Sequence, residues 1–277
     1  MNKNKVFERI SYHVVYDDSI MDSIDFASKN GFSGIQIAMD VLHLGFDNSS
    51  NAEILRIKEK SQELGVRINL HAPDGASLVF PYSNTDKGII SYYSDLIDFA
   101  VKIGAKIITI HPGKPSHFPT DTVPQEIYPK RDLGLYKKIL EKNLDRLLEL
   151  SKGKVQLCIE NYEWLPFVTE TMQDYITRTD LGLCWDLEKM HNKPDGSVKT
   201  EILDFYTRNL SRIKQVHLHS IVEGKAHKVI QPGIIDFSHY LKLLDQVDVL
   251  DYCIEVRPKE KALESLNNLK KMLSYDK

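Results

Sequence analysis

Short apolar segments alternate with longer amphipathic ones along the whole chain, and no other feature constrains its folding as much. Segments 6–15, 33–39, 66–71 and 105–111 read as strands, followed by helical patterns at 21–29, 51–64, 87–103 and 135–151. Strand-like segments 155–160, 181–186, 213–219 and 250–256 are followed in turn by helical patterns at 168–178, 198–209, 237–247 and 260–273. Three helices stop at Gly31, Gly65 and Gly104, the residue type that ends a helix without steric cost. Helix 135–151 lines Leu140, Leu144, Leu147 and Leu148 along one face. Apolar strands separated by such helices pair in parallel, with the helices covering the outer face. Eight strand–helix units in roughly 250 residues have the count and size of a closed (β/α)8 (TIM) barrel, expected as a single domain over 1–277. A doubly wound open sheet would want a Gly-rich phosphate turn after its first strand, and Ser11-Tyr12-His13-Val14-Val15 has none. The longest irregular stretch is 112–134, and no linker or low-complexity segment interrupts the rhythm.

Composition narrows the function classes. Lysine and arginine number 36 against 39 acids, a net charge of −3, so the chain lacks the basic footprint of a protein that holds nucleic acid mainly by charge. The longest apolar runs fall far short of the ~20 residues a bilayer crossing needs, so no membrane partner is expected. The N-terminal MNKNKVFERI has no apolar signal region, and a cytoplasmic location is expected. Cys158, Cys184 and Cys253 form neither a disulfide framework nor a CxxC motif. The oligomeric state is left open.

The chemistry gathers where the strands end. Strand three ends in His71, strand four in His111, strand five in Glu160, strand six in Asp186, strand seven in His217 and His219, and strand eight in Glu255. In a parallel barrel these ends share one mouth, where active sites of this architecture are built. One such residue alone is more often a hydrogen-bonding cap than a ligand, but six consecutive strands ending this way are hard to attribute to capping. Carboxylates crowded at a partly buried mouth repel one another and lose solvation, and a divalent cation removes that penalty. Imidazoles with carboxylates suit zinc, manganese, iron, cobalt or magnesium, one or two ions per chain, without choosing among them. Each cysteine precedes an acid by two residues (Glu160, Asp186, Glu255), so with a strand period of two it points the same way, about 6.6 Å deeper. The cysteines then read as reduced packing groups rather than ligands. The same parity turns Gln215, His217 and His219 inward, and whether His217 or His219 is the ligand stays open.

The strand-end set, the HAP and HPG turns, the IEN tripeptide and the late segment HKVIQPGIIDF together resemble the xylose isomerase-like TIM barrels, a superfamily of sugar isomerases and epimerases that also holds endonuclease IV. The resemblance covers essentially the whole chain. For the sugar-isomerase branch it implies one metal held by Glu160, Asp186, His217 and Glu255. Glu160 and Glu255 would then exchange protons with carbon while the metal stabilises an enediolate. For the nuclease branch it implies a first metal on His71, His111 and Glu160, and a second on Glu160, Asp186, His217 and Glu255. That branch's third metal takes a His at the position of Lys189 and an Asp at that of Lys225, with His227 retained, so the third site is expected to be lost. His191 stands two residues late for that role.

The DNA-handling positions also depart from the nuclease pattern. Asp74 stands where that branch has an aromatic residue, and Asp40-Val41-Leu42-His43-Leu44-Gly45 offers neither an arginine nor an aromatic wedge. The favoured expectation is therefore a divalent-metal-dependent isomerase or epimerase of a small sugar or polyol. A two-metal phosphodiesterase of endonuclease IV type ranks second, and a barrel that keeps a metal or ligand without turnover third. His71, His111, His219, Lys225, His227 and Arg257 are the expected substrate-binding residues. Either Lys225 or Arg257 could hold an outer hydroxyl, carboxylate or phosphate, although a salt bridge at the rim is as good an account of Arg257. His13, His43, His117 and His239 are expected to be surface or packing residues, with His13 the exception to watch because it sits in strand one.

Overall fold

The structure, a computed structural model, describes residues 3–115, 132–162, 164–193 and 195–275. Eight parallel strands close into a barrel: β1 (Ile10–Val14), β2 (Gly34–Ala38), β3 (Arg67–His71), β4 (Ile107–Ile110), β5 (Gln156–Glu160), β6 (Gly182–Asp186), β7 (Ile213–Leu218) and, after a hairpin, β10 (Asp251–Ile254). Each neighbours the next, and β10 pairs with both β7 and β1 to close the ring. The hairpin is β8 (Ser220–Val222) with β9 (Lys225–Lys228), antiparallel and outside the barrel. The expected (β/α)8 TIM barrel is the architecture found.

The helices are α1 (Lys3–Phe7), α2 (Ile20–Asn30), α3 (Asn51–Leu64), α4 (Ser83–Ile103), α5 (Leu133–Ser151), α6 (Pro166–Arg178), α7 (Thr200–Arg208), α8 (Phe237–Leu244) and α9 (Lys259–Tyr275). Local chemistry sets several of their ends. Ser19 and Ser50 accept the backbone N–H of Asp22 and Glu53 and so cap α2 and α3. Gly31, Gly65 and Gly104 end α2, α3 and α4 with φ of 80°, 64° and 78°, the left-handed region where other residues are strained. Segment 6–15 is not one strand, because Lys3–Phe7 is helical and the strand starts only at Ile10. The β8–β9 hairpin was not expected from the pattern, because its three- and four-residue strands are too short to show a period. Among the described residues no helix is long and apolar enough to cross a membrane.

Inside the barrel, below the mouth, the filling is polar. Gln36 Nε2 donates to Thr109 Oγ1 (2.9 Å) and to Gln215 Oε1 (3.2 Å), and Gln215 Nε2 donates to Asp251 Oδ2 (3.0 Å). Ser11 Oγ donates to the same Asp251 oxygen at 2.9 Å. These bonds join β1, β2, β4, β7 and β10 across the interior and form a rigid floor. The three cysteines are buried and free, and Cys158 and Cys184 pack with Ile107. Burial pushes all three thiols up, away from the thiolate form a ligand or nucleophile needs.

Candidate metal centre

Glu160, at the end of β5, is the hub of the mouth and is fully buried. Its Oε2 faces three imidazole nitrogens: His111 Nε2 at 3.0 Å, His71 Nε2 at 3.3 Å and His217 Nδ1 at 3.5 Å. Its Oε1 accepts from the ammonium of Lys189. Burial pushes the carboxyl up, but Lys189, His111 and His217 outweigh burial and hold it well below the usual carboxylate range.

His71 Nδ1–H donates to the Ala72 carbonyl at 2.8 Å, which fixes the ring so that Nε2 points at Glu160. His111 lies between two acids, with Nδ1 3.2 Å from Asp74 Oδ1 and Nε2 on Glu160, and its ring stacks on Tyr162 at 4.1 Å and 8°. Gly113, in the HPG turn, has φ 86°, and a Cβ there would fall 2.1 Å from Ser77 Oγ and 2.7 Å from Ser77 Cα. The motif needs glycine so that the loops after β3 and β4 can touch.

Asp186 ends β6. The asparagine of the IEN tripeptide ties it to β5: Asn161 Oδ1 accepts from Asp186 N–H (2.8 Å) and Asn161 Nδ2 donates to Asp186 O (2.9 Å). His219 Nε2 lies 3.3 Å from both Asp186 oxygens, while its Nδ1 accepts from His227 N–H at 3.0 Å. Both nitrogens of His219 are therefore engaged, and its Nε2 carries the proton. His217 differs: neither ring nitrogen has a hydrogen-bond partner among the described residues, and Nδ1 faces Glu255 Oε2 at 3.3 Å as well as Glu160. Burial works against a charged His217, but Glu160 and Glu255 outweigh it and lift its pKa to about 9.

Glu255 sits one residue beyond β10. Its Oε1 accepts from Arg257 Nη2 at 2.9 Å and lies 3.6 Å from His13 Nδ1, whereas its buried Oε2 has no hydrogen-bond partner among the described residues. Burial pushes Glu255 up, and His217, outweighing that with the neighbouring imidazoles His13 and His227, leaves it well below the usual range.

A cleft of about 300 Å³ opens over these groups, lined by His13, His71, His111, Glu255, Lys189, His227 and Arg257 among others. A larger hollow of about 770 Å³, lined by turns such as Gly104–Lys106 and Gly153–Gln156, contains none of these donors, so size alone does not locate the chemistry. Of the expected substrate-binding residues, His71, His111, His227 and Arg257 reach the cleft. His219 does not: it is fully buried, held between Asp186 and the His227 amide. Lys225 does not either, because it is exposed on β9, paired in register with Val222 in a hairpin outside the barrel. The ammonium that enters the site is that of Lys189. His13 lines the cleft, and His191 is buried with its Nδ1 on the Leu187 carbonyl, away from it. His117 lies outside the described residues.

Lys189, Tyr162, Asp74 and Asn161 were not singled out as site residues by the strand-end pattern. Asn161 and Tyr162 had a signal in the IENY run directly after the strand-five acid. Lys189, three residues beyond Asp186, had its signal only in standing where the nuclease branch has a metal-binding histidine.

This donor set fits a divalent cation. His71, Glu160 and His217 offer donor atoms within 4.8 Å of one another, as do Asp186, His217 and Glu255. The unpartnered His217 nitrogens and Glu255 Oε2 are the buried polar atoms an ion would satisfy.

Comparison with known proteins agrees with the architecture. At 30% identity over 166 residues, an uncharacterized protein of Methanocaldococcus jannaschii matches 56% of this chain; the chain spans about half of that relative's length, 52%. Among solved structures, a D-tagatose 3-epimerase-like protein superposes with TM-score 0.72 at 18% identity, covering 96% of this chain and 97% of its own. Endonuclease IV from Thermus thermophilus gives 0.64 at 16%, covering 96% and 98%. The IolI protein, solved with a bound zinc atom, gives 0.67 at 17%, covering 96% of both chains. At such identities these structures speak for the fold alone. The model of the xylose isomerase-like TIM barrel family matches residues 24–272, and the chain belongs to that family.

Proposed function

We propose that this chain is a divalent-metal-dependent isomerase or epimerase acting on a small sugar or polyol. The observation that carries the reading is the pair Glu160 and Glu255, two buried carboxylates on strands three places apart round the barrel, with His217 between them at 3.5 and 3.3 Å. Glu160, Asp186, His217 and Glu255 hold the ion. His217 is preferred over His219 because its Nδ1 faces only the two glutamates of the ligand set and its Nε2 has no hydrogen-bond partner among the described residues, whereas both nitrogens of His219 are engaged. A bound divalent cation supplies positive charge for the oxygens of an α-hydroxy carbonyl compound as a neighbouring C–H bond breaks.

The rest of the chemistry belongs to the chain. One ionised glutamate removes the proton from the carbon next to the carbonyl. The other takes up a proton from solvent at the mouth and delivers it to the opposite face or the adjacent carbon, and the first gives its proton back to solvent, so that both end ionised as they began. Arg257 holds Glu255 in place through its 2.9 Å bond. His71 and His111 line the cleft with Nε2 on Glu160 Oε2, and a substrate hydroxyl would bind them by taking that carboxylate's place at Nε2.

A second reading, a two-metal phosphodiesterase, is favoured by one observation: His71 and His111 both turn Nε2 to Glu160 Oε2, at 3.3 and 3.0 Å, beside the first group. Elemental analysis of the purified protein, with assays on ketoses, inositols and abasic duplex DNA, separates the two. About one metal per chain with ketose or polyol turnover is expected. Two metals with DNA nicking at or below stoichiometric protein would replace the isomerase reading by the phosphodiesterase.

A further inference from the structure

We infer that Lys189 is a resident cation of the acid cluster that competes with the divalent ion for Glu160 and Asp186. The inference rests on the metal centre proposed above and concerns how that centre admits its ion. Lys189 Nζ sits on Glu160 Oε1 and 3.4 Å from Asp186 Oδ2, so one ammonium bridges carboxylates from neighbouring strands that both belong to the ligand set. Its side chain is only 21% exposed, and no other lysine or arginine pairs with either acid among the described residues. The two Glu160 oxygens are thereby divided: Oε1 goes to the ammonium, and Oε2 faces the imidazoles of His71, His111 and His217.

Buried carboxylates without a counter-charge are costly, so the lysine stabilises the metal-free protein. An ammonium cannot ligate and repels a divalent ion at this range, so the same contact weakens metal binding. The ring of Tyr162 already lies 5.0 Å from Nζ, so an aromatic face as well as the two acids holds the ammonium at the cluster; the Lys114 ammonium lies 5.1 Å from the same ring.

This double role predicts two effects of opposite sign, which a merely structural lysine would not give. Removing the charge with Lys189→Gln lowers the thermal midpoint of the metal-free protein and tightens Mn²⁺ binding, on the order of tenfold or more by calorimetric titration of the full chain. Lys189→Arg keeps the charge and stays near wild type in both measurements. Unchanged or weaker Mn²⁺ affinity in Lys189→Gln overturns the inference. Should that variant fold only with metal, Mn²⁺ release into excess chelator is read instead: slower release than wild type supports the competition, and equal or faster release overturns it. Tighter binding in Lys189→Gln without ketose turnover by metal-loaded wild type removes the isomerase reading and leaves the role of Lys189 standing. Turnover with unchanged affinity does the reverse.

Discussion

At the scale of single residues, the site is specified by which polar atoms are already engaged. His217 and His219 share a strand parity and cannot be told apart by spacing; in the proposed centre the hydrogen bonds of His219 to Asp186 and to the His227 amide favour His217. Glu160 and Glu255 are the groups whose loss the mechanism cannot absorb. Glu160→Gln or Glu255→Gln is expected to lower kcat by roughly 10²–10⁴-fold while circular dichroism stays that of a folded barrel; near-wild-type turnover in either removes the acid–base assignment. Gly113 tests the turn geometry rather than the chemistry. With φ 86° and Ser77 Cα 2.7 Å from a new Cβ, Gly113→Ala should cost about 2–3 kcal/mol in urea unfolding. A cost below about 0.5 kcal/mol would show that the loops after β3 and β4 do not need their close approach.

At the scale of elements, the loop that carries Asp74 and Ser77 is held from outside the mouth. Asn143 on α5 donates to the Leu78 carbonyl (2.9 Å) and to Asp86 Oδ1 on α4 (2.6 Å), and Lys142 donates to Asp86 Oδ2 at 2.6 Å. Burial pushes the Asp86 carboxyl up, but the bonds from Lys142 and Asn143 outweigh it and leave the carboxyl below its usual value. A carboxyl depressed in the folded state stabilises fully above its unfolded pKa, about 3.9, and loses that contribution as pH falls through the folded value. Asp86→Asn is therefore expected to cost about 1–3 kcal/mol at pH 7, with the gap to wild type closing below about pH 4; a gap that persists in acid would show that the carboxylate charge is not what matters. The helix and strand alternation was legible because each element carries its own period. The β8–β9 hairpin was not, and so the spacing could not show that Lys225, after strand seven as expected, pairs with Val222 in an antiparallel register outside the barrel.

At the scale of the whole molecule, closure of β10 against β1 and β7 turns strand ends scattered from position 71 to position 255 into one cluster. Ion binding to such a cluster couples to global stability, since the unfolded chain has no preformed site. At a metal concentration 100 times its Kd the linkage is about 2.7 kcal/mol, or roughly 5 °C in thermal midpoint for a chain of this size. Scanning calorimetry with Mn²⁺ or Zn²⁺ and then with chelator checks this, and superimposable scans would argue against any metal centre. The sequence by itself determined the barrel and the six strand ends that carry an imidazole or a carboxylate, because burial period and strand parity are local properties that no distant contact alters. Only the tertiary structure decided that Lys189 rather than Lys225 brings its charge to the acids, that His13 joins Glu255, and that His217 turns Nδ1 to both glutamates. Those outcomes depend on loops and side chains meeting across the ring, and no spacing along the chain encodes such distances.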